Sequence, residues 1–415
     1  MQRMWLMVGL LFAGSLASAQ VNNYYVSPTG NDANAEANVR NSGGAVAWRT
    51  LGHADTAFLL GANGTTINVA SCPTSAACYT GNISLGRSGS PTQPLIYRST
   101  VKWGAHVDGY VELYGQFETF QNFDVENTGC CGQNTDDGIV NYLNSTNGPF
   151  GSFNNILGNH VHNVEFATTF ICGGTLRGNS GIEVIGKAHD IFIDGNVVDH
   201  NGHWGGCPSS GSGSHGIYVG GYHNIVTNNL VSNNAGAGIQ QYHNSCNNEI
   251  ANNTIFHNFT GGLNVSQPAD GFPPCAASGD DFGSISNNII VRNGFGWDGN
   301  GGTTAASDHG CYALGYTPLA AVPHNKVSNN LFAGNFACDG SIYPTNAANV
   351  ITQLNGNTST PLMQANKVQT LVSGIFVNYQ DDGSGDYHLA ASSPAIGAGA
   401  ATSSTICSVA PGYDP

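Results

Sequence analysis

Carboxylate, imidazole and aromatic side chains recur at matching positions of short glycine-marked segments in the middle of the chain. Asp137 and His215 each stand directly before a glycine, whereas Glu183, Tyr218 and Gln240 each follow one by two residues. Carboxylates perform general acid–base catalysis, and amide and aromatic groups orient hydroxyl groups and pack against ring faces. If these segments lie side by side, the outward positions form a row with the composition of a sugar-binding groove. The alternative is the ordinary polar outer face that every repeat protein has.

The residue types in this row predict individual roles. Glu183 is expected to be the general acid, because neighbouring carboxylates would raise its pKa. Asp137 is expected to be the base or nucleophile, and His215 to orient the substrate. The further positions expected to contact substrate are Asp136, Arg177, Trp204, Tyr218 and Gln240. Strict strand alternation would turn the position before each glycine inward, so Asp137 and His215 face outward only if the glycine makes a turn.

A bound cation is the second chemistry that the sequence raises. Asp194 and Asp199 are candidates for a calcium site, because calcium prefers carboxylate oxygens. Beyond calcium we expect no metal and no cofactor, since the chain has no CxxC pair and no histidine at zinc-finger spacing. Most histidines are expected to be turn residues, although His162 and Asp199 should face the same side.

Two alternating patterns predict the elements that position these residues. The glycine pattern recurs at Gly138, Gly181, Gly216, Gly238 and Gly262, and the Asn-x-apolar pattern recurs at Asn159, Asn196, Asn229, Asn253, Asn288 and Asn330. A minimal unit of about 24 residues with insertions is a β-solenoid period. Stacking the units makes one continuous core, and the asparagines at Asn201, Asn234, Asn258 and Asn293 are expected to form a hydrogen-bonded ladder.

Composition excludes several classes of protein. The 415 residues include 57 glycines, only 9% are charged, and the net charge is −15. Scarce charged helix formers argue against helical bundles and coiled coils. A nucleic-acid partner is not expected, because the chain lacks the cations for a basic face. One elongated repeat domain accounts for the length.

Residues 1–19 are predicted to be a signal peptide, because they contain Arg3, a short apolar run and the small residues Ala17-Ser18-Ala19. We therefore expect a secreted or periplasmic protein without membrane insertion. Export makes disulfides the expected state of the 11 cysteines, and Cys72 and Cys78 are the pair that we expect first.

The repeat, together with several short segments, resembles right-handed parallel β-helix proteins of the pectate-lyase-like superfamily. Segments that carry the resemblance include Tyr24–Asp32, His215–Val219 and Asp386–Leu389. The resemblance implies an all-β fold: a single right-handed parallel β-helix over residues 20–390, a short N-terminal cap with a helix near Ala54–Leu60, and a closing segment over 391–415. We expect this segment to cover the open end of the solenoid.

The superfamily includes hydrolases, lyases, epimerases and adhesive proteins, so the resemblance leaves activity open. Asn134–Gly138 and Ser214–Gly216 partly resemble two polygalacturonase-type motifs, which favours a glycoside hydrolase acting on a polysaccharide. A lyase would use a basic residue, for which Arg177, Lys187 and Arg292 are the candidates. A non-catalytic surface or adhesive protein is the main alternative, and an epimerase is a third. We expect a monomer.

Overall fold

Short strands joined by tight turns make up most of the described part of the chain. The computed structural model describes residues 21–128, 137–141, 151–164, 180–186, 188–202, 214–242, 245–266, 283–294, 312–317, 326–336, 342–343 and 362–400. Almost all strands belong to three long sheets in which every neighbouring pair is parallel. Successive coils of the chain each add one strand to a sheet, so the fold is the parallel β-helix that the repeat and the superfamily resemblance predicted.

Sheet 1 has eleven strands. They are β1 (Asn22–Val26), β2 (Thr65–Val69), β5 (Leu95–Ser99), β8 (Glu118–Gln121), β11 (Asn155–Leu157), β14 (Phe192–Asp194), β17 (Ile225–Thr227), β20 (Asn248–Ala251), β23 (Gly283–Ser286), β26 (Lys326–Ser328) and β30 (Leu362–Gln364).

Sheet 2 has eight strands. They are β4 (Ile83–Leu85), β7 (Val111–Leu113), β10 (Ile139–Asn141), β13 (Ile182–Val184), β16 (Ile217–Val219), β19 (Ala237–Gln241), β22 (Gly261–Ser266) and β25 (Tyr312–Thr317).

Sheet 3 has ten strands. They are β3 (Tyr79–Thr80), β6 (His106–Asp108), β9 (Asp124–Glu126), β12 (His160–His162), β15 (Val197–Asp199), β18 (Leu230–Ser232), β21 (Thr254–Phe256), β24 (Ile289–Val291), β27 (Leu331–Ala333) and β31 (Lys367–Gln369).

The core lies between the three sheets and is built from one or two apolar side chains per strand. In a single coil Ile182, Ile193 and Val198 come from sheets 2, 1 and 3, and all three are fully buried in the same cluster. Burying a side chain of this size contributes about 1.5–3 kcal/mol. No coil could bury its apolar face alone, so stacking is what stabilises each unit.

Two asparagine ladders run along the turns between the sheets. The predicted ladder of Asn201, Asn234, Asn258 and Asn293 is confirmed, with side-chain N–H groups donating to the next carbonyl oxygen at 2.9 Å, and it continues to Asn335 at 3.2 Å. The second ladder has seven members, with corresponding distances of 2.9–3.1 Å: Asn159, Asn196, Asn229, Asn253, Asn288, Asn330 and Asn366.

The left-handed backbone conformation falls on the residue before each ladder asparagine. Asn228 and Asn233 both have φ of 56°, and His257 has φ of 52°. Asparagine and histidine tolerate this conformation at single positions of a turn. The turn and the ladder are therefore two neighbouring positions with different tasks, one conformational and one hydrogen-bonding.

The N-terminal cap contains α1 (Glu36–Val39) and α2 (Leu51–Ala57). The helix predicted near residues 54–60 therefore exists and begins three residues earlier. Thr50 caps it, because its side chain accepts a hydrogen bond from the His53 N–H at 3.2 Å. The described part of the chain contains no helix long and apolar enough to cross a membrane.

The C-terminal segment packs along the side of the stack. Its antiparallel hairpin, β32 (Phe376–Asn378) and β33 (Asp386–Leu389), buries Phe376 against outward residues of sheet 3, including Phe256 and Val291. The outward side chains of β21, β24 and β27 are apolar, and the hairpin covers them. The closing segment that we expected across the open end spans 391–415, of which the structure describes 391–400, so that placement stays a prediction. A further antiparallel pair joins β28 (Asn335–Phe336) to β29 (Ile342–Tyr343).

Candidate active site

The outward row predicted on the glycine-marked segments lies on sheet 2. β13 places Glu183 beside Val140 of β10 on one side and Tyr218 of β16 on the other, and Tyr218 lies beside Gln240 of β19. In β13 and β16 the central residue is partly exposed between two buried ones, so it faces away from the core. The register predicted from the glycines is confirmed, with neighbouring strands about 4.8 Å apart.

The glycines decide which way the preceding column faces. A Cβ built on Gly181 would lie 2.6 Å from the Val198 side chain, so this position points into the core. The next residue, Ile182, is also fully buried. Two successive inward positions break the alternation of the strand, so the residue before the glycine turns to the outer side. Gly138 and Gly216 show the same close approach, at 2.5 Å to the next side chain.

Asp137 and Glu183 consequently meet on the outer side of sheet 2. Their side chains are hydrogen-bonded, and the Ser180 N–H donates to Asp137 Oδ1 at 2.5 Å. Loss of hydration, followed by the negative charge and the hydrogen bond of Asp137, raises the pKa of Glu183 well above its usual range. Protonation of Glu183 is therefore easier than that of an isolated carboxyl group, and the two side chains can share a proton.

His215 occupies the same column two strands away and is held as a neutral ring. Its side chain is buried, and its Nδ1 accepts a hydrogen bond from the Ala237 N–H at 3.0 Å, so the hydrogen is on Nε2. Burial lowers the pKa of His215 to about 3. Gly236 makes room for the ring, because a Cβ there would lie 2.7 Å from Nδ1.

An aromatic and amide strip continues the row beyond the carboxyl pair. The Tyr218 ring stacks on the His215 ring with centroids 5.8 Å apart, and Tyr242 lies 6.4 Å from Tyr218. Gln240 and Asn264 follow on the next two strands, and both are largely buried. The structure thus brings Asp137, Glu183, His215, Tyr218 and Gln240 onto one face.

The other predicted substrate contacts, Asp136, Arg177 and Trp204, lie outside the described residues, as does Lys187. Arg292 is not part of this face. It follows β24 of sheet 3, and its Nε lies 3.0 Å from Asp381 Oδ1 in the C-terminal segment.

The predicted calcium pair is not assembled. Asp194 ends β14 of sheet 1 and accepts a hydrogen bond from the Asn228 amide at 2.7 Å. Asp199 ends β15 of sheet 3 and interacts with His160 at 3.0 Å and His200 at 3.3 Å. The intervening turn at the ladder position places the two carboxylates on different sheets, and calcium binding by either residue stays a prediction.

Sequence reasoning missed a cluster of histidines and carboxylates on sheet 3. His162 and Asp199 do lie side by side there, as predicted, but His106 and Asp124 belong to the same surface. The signal in the sequence is an acidic or imidazole side chain at the first and third positions of consecutive sheet 3 strands, as in His106–Asp108, Asp124–Glu126 and His160–His162. Unequal spacing of these segments conceals the pattern.

The described residues test the expected disulfides at Cys72, Cys78 and Cys246. Cys72 and Cys78 form a disulfide with an S–S distance of 2.07 Å, which confirms the expected pair. Cys246 is also disulfide-bonded.

Comparison with known proteins gives only distant matches. No family model matches the chain, and no curated protein matches it. Among solved structures, pectate lyase Pel9A is 14% identical with a TM-score of 0.47, over 93% of this chain and 94% of that one. A rhamnogalacturonan lyase is 14% identical with a TM-score of 0.48, over 86% and 91%. An alginate lyase from Paenibacillus sp. str. FPU-7 is 15% identical with a TM-score of 0.46, over 66% and 82%. Likeness at this level carries no argument about activity.

Proposed function

We propose that the chain is a secreted enzyme that degrades a polysaccharide by glycoside hydrolysis, with Glu183 as the general acid. The observation that supports this is the hydrogen bond between the Glu183 and Asp137 carboxyl groups at an outward strand position, which together with burial raises the pKa of Glu183. A carboxyl group that keeps its proton at neutral pH is what protonation of a glycosidic oxygen requires.

The remaining roles follow from the positions of the side chains around this pair. Asp137 acts as the base, since it is the carboxyl partner of the proposed acid and can take a proton from an attacking water. The Nε2–H of His215 donates a hydrogen bond to a substrate hydroxyl, and the Tyr218 ring offers a face to a sugar. Gln240 extends the row, and Asp136, Arg177 and Trp204 remain proposed contacts on its border.

A role of Asp137 as covalent nucleophile is disfavoured by its hydrogen bond to Glu183. Retaining enzymes separate their two carboxyl groups by about 5–5.5 Å, so that the sugar fits between them. A directly bonded pair is closer than this, and closer still than the separation of about 6.5–9.5 Å in most inverting enzymes, so Asp137 and Glu183 would act as a pair that shares a proton. Two acids that share a proton can instead activate water with one member and protonate the leaving group with the other.

Hydrolysis is favoured over β-elimination by the charges on this face. Elimination needs a basic residue and a positive group to neutralise a uronate. The described outward column of sheet 2 contains no lysine or arginine: its members are Ser84, Glu112, Val140, Glu183, Tyr218, Gln240, Asn264 and Gly315. A net charge of −15 also repels polyanionic substrates.

The test is a screen of the purified mature protein on neutral and acidic polysaccharides, read by new reducing ends and by ultraviolet absorbance of unsaturated uronates. We expect reducing ends without that absorbance. Glu183→Gln should lower kcat by at least about 100-fold, the usual contribution of general acid catalysis. Glu249→Gln is the matched control, because Glu249 is a partly exposed outward residue of sheet 1 and should leave activity unchanged.

Three outcomes would contradict the proposal. Unsaturated products would indicate a lyase. Wild-type turnover by a folded Glu183→Gln variant would remove Glu183 from the mechanism. Binding of a glycan without cleavage of any polysaccharide in the screen would favour the non-catalytic, adhesive alternative.

A further inference from the structure

Histidines and carboxylates from three consecutive coils meet on sheet 3, away from the Asp137–Glu183 pair on sheet 2. β6, β9 and β12 pair so that His106 lies beside Asp124, and Glu126 lies beside His162. One ligand atom from each of His106, Asp124 and His162 lies within 4.8 Å of the other two. Across the described ranges, no other three histidine, cysteine, aspartate or glutamate side chains are grouped in this way.

His106 carries a buried nitrogen that is oriented like that of a metal ligand. Its side chain is only 9% exposed, and its Nδ1 lies 2.9 Å from the Ser75 carbonyl oxygen. A carbonyl oxygen only accepts, so Nδ1 donates to it and the orientation of the ring is fixed. Metal-binding histidines are usually fixed in this way by a carbonyl or carboxylate behind the ring.

The second ring nitrogen of His106, Nε2, has no hydrogen-bond partner and lies beside a carboxyl group. His106 Nε2 is buried and makes no hydrogen bond, although Glu126 Oε1 lies 3.0 Å away. The two atoms are close but not in hydrogen-bond geometry, so the buried nitrogen is left without an aligned partner. A buried polar atom without a hydrogen bond costs free energy, and a bound cation would remove that cost.

The other two side chains complete a set of two nitrogens and one oxygen. His162 Nε2 lies 2.9 Å from Asp124 Oδ1, and the His106 and His162 rings are 6.1 Å apart. Zinc bonds of about 2.0–2.2 Å need ligand atoms about 3.3 Å apart, so small side-chain rotations suffice. The Asp124 and His162 side chains are 19% and 15% exposed, which gives an ion a route from solvent.

The disulfide loop holds this site in place from behind. Ser75 lies within the loop closed by Cys72 and Cys78. The Cys78 N–H donates to the His106 carbonyl oxygen at 3.2 Å. The loop therefore fixes both the strand and the ring orientation of His106 before any ion binds.

We propose that His106, Asp124 and His162 bind one divalent transition-metal ion, of which zinc is the best fit, and that the ion links three consecutive coils. Two imidazole nitrogens and one carboxylate suit zinc, whereas calcium and magnesium prefer sites made of oxygen alone. The site is independent of the proposed hydrolase function.

The test measures metal binding by the full-length mature protein. Protein stripped with a chelator is titrated with zinc chloride in competition with a chromophoric chelator, and we expect one ion per chain that excess calcium does not displace. His106→Gln and His162→Gln should each weaken zinc binding by more than the roughly 10–100-fold that loss of an outer-sphere partner costs. His388→Gln is the control, because the His388 side chain is 91% exposed on the C-terminal hairpin, and its affinity should match wild type.

Cobalt provides a second measurement that does not depend on the variants. Cobalt-loaded wild-type protein should show visible d–d bands without the near-ultraviolet charge-transfer band of a cobalt–thiolate bond. A thiolate band would place the ion on cysteine and overturn the assignment. So would an absence of stoichiometric zinc binding, or full affinity in both histidine variants. If a variant fails to fold by circular dichroism, the cobalt spectrum of wild type decides.

Discussion

The buried imidazole of His215 makes stability depend on pH in a direction and by an amount that can be worked out. Burial lowers the pKa of His215 from 6.5 to about 3, so the folded protein keeps a neutral ring where the unfolded chain takes up a proton. Below pH 6.5 the unfolded state binds more protons, and the free energy of unfolding falls by about 1.4 kcal/mol per pH unit. The loss reaches about 5 kcal/mol near pH 3, which is comparable with the whole stability of many domains.

The perturbation that isolates this effect is His215→Asn. The amide oxygen can replace Nδ1 as the acceptor for the Ala237 N–H, but the side chain does not titrate. The smaller side chain leaves a cavity, so the variant starts less stable by an amount that does not depend on pH. Between pH 7.5 and pH 5 the difference from wild type should shift by about 2 kcal/mol in favour of the variant.

Chemical unfolding followed by far-ultraviolet circular dichroism at several pH values measures this difference. Other titrating groups contribute equally to both proteins and cancel. Leu371→Ala, at an exposed position without a titrating group, serves as the control and should show a nearly constant difference. A constant difference for His215→Asn between pH 7.5 and pH 5 would show that the folded protein protonates this ring as readily as the unfolded chain, and would refute the neutral-ring assignment.

Three further predictions concern the stack itself. Burial and the charge of a neighbouring aspartate raise the pKa of Glu118, so above pH 4.5 the folded state retains a proton that the unfolded chain releases. Glu118→Gln should therefore be more stable than wild type at pH 8 but not at pH 4. Equal differences in unfolding free energy at the two pH values would contradict this. The buried Asn229 side chain donates two hydrogen bonds and accepts two. Asn229→Ala should therefore lower the unfolding free energy by about 3–5 kcal/mol, measured by chemical unfolding. Asn155 is only partly buried, and Asn155→Ala should lower it by under about 1 kcal/mol. Replacing both Cys72 and Cys78 by alanine should lower the unfolding free energy by about 2 kcal/mol, because the bridge closes a short loop, and an unchanged midpoint would show that the loop is ordered without it.

The burial that gives the candidate active site its proposed chemistry also lowers the stability of the fold. Keeping Glu183 protonated and His215 neutral requires removing both from water, and each costs stability in the pH range where the group would otherwise be charged. The ladders and the continuous core supply the stability that tolerates this cost. Perturbed pKa values on an outward face, set in an otherwise regular stack, are therefore a reason to look for function there.

Features that depend on local sequence could be predicted without the structure. The repeat, the asparagine ladder at Asn201 and Asn234, the short Cys72–Cys78 bridge and the register that pairs Glu183 with Tyr218 all follow from residue type and spacing along one coil. Stacking transmits these local choices unchanged from coil to coil, because equivalent positions of parallel strands lie directly beside each other. A repeat protein is favourable to this reasoning, since alignment of units is also alignment in space.

The tertiary structure alone decided how residues from different turns and sheets meet. The outward direction of Asp137 depends on the backbone at Gly138, where the glycine packs into the core and breaks the alternation. Asp194 and Asp199 are separated although only five residues apart, because the turn between them carries the chain from one sheet to the next. Conversely His106 and His162, far apart in sequence, come together because coils of unequal length still occupy one strand spacing each. Insertions that loop out of the stack change the number of residues between two side chains in the sequence, but not the distance between them in space. That distance therefore cannot be predicted from the pattern of residue types.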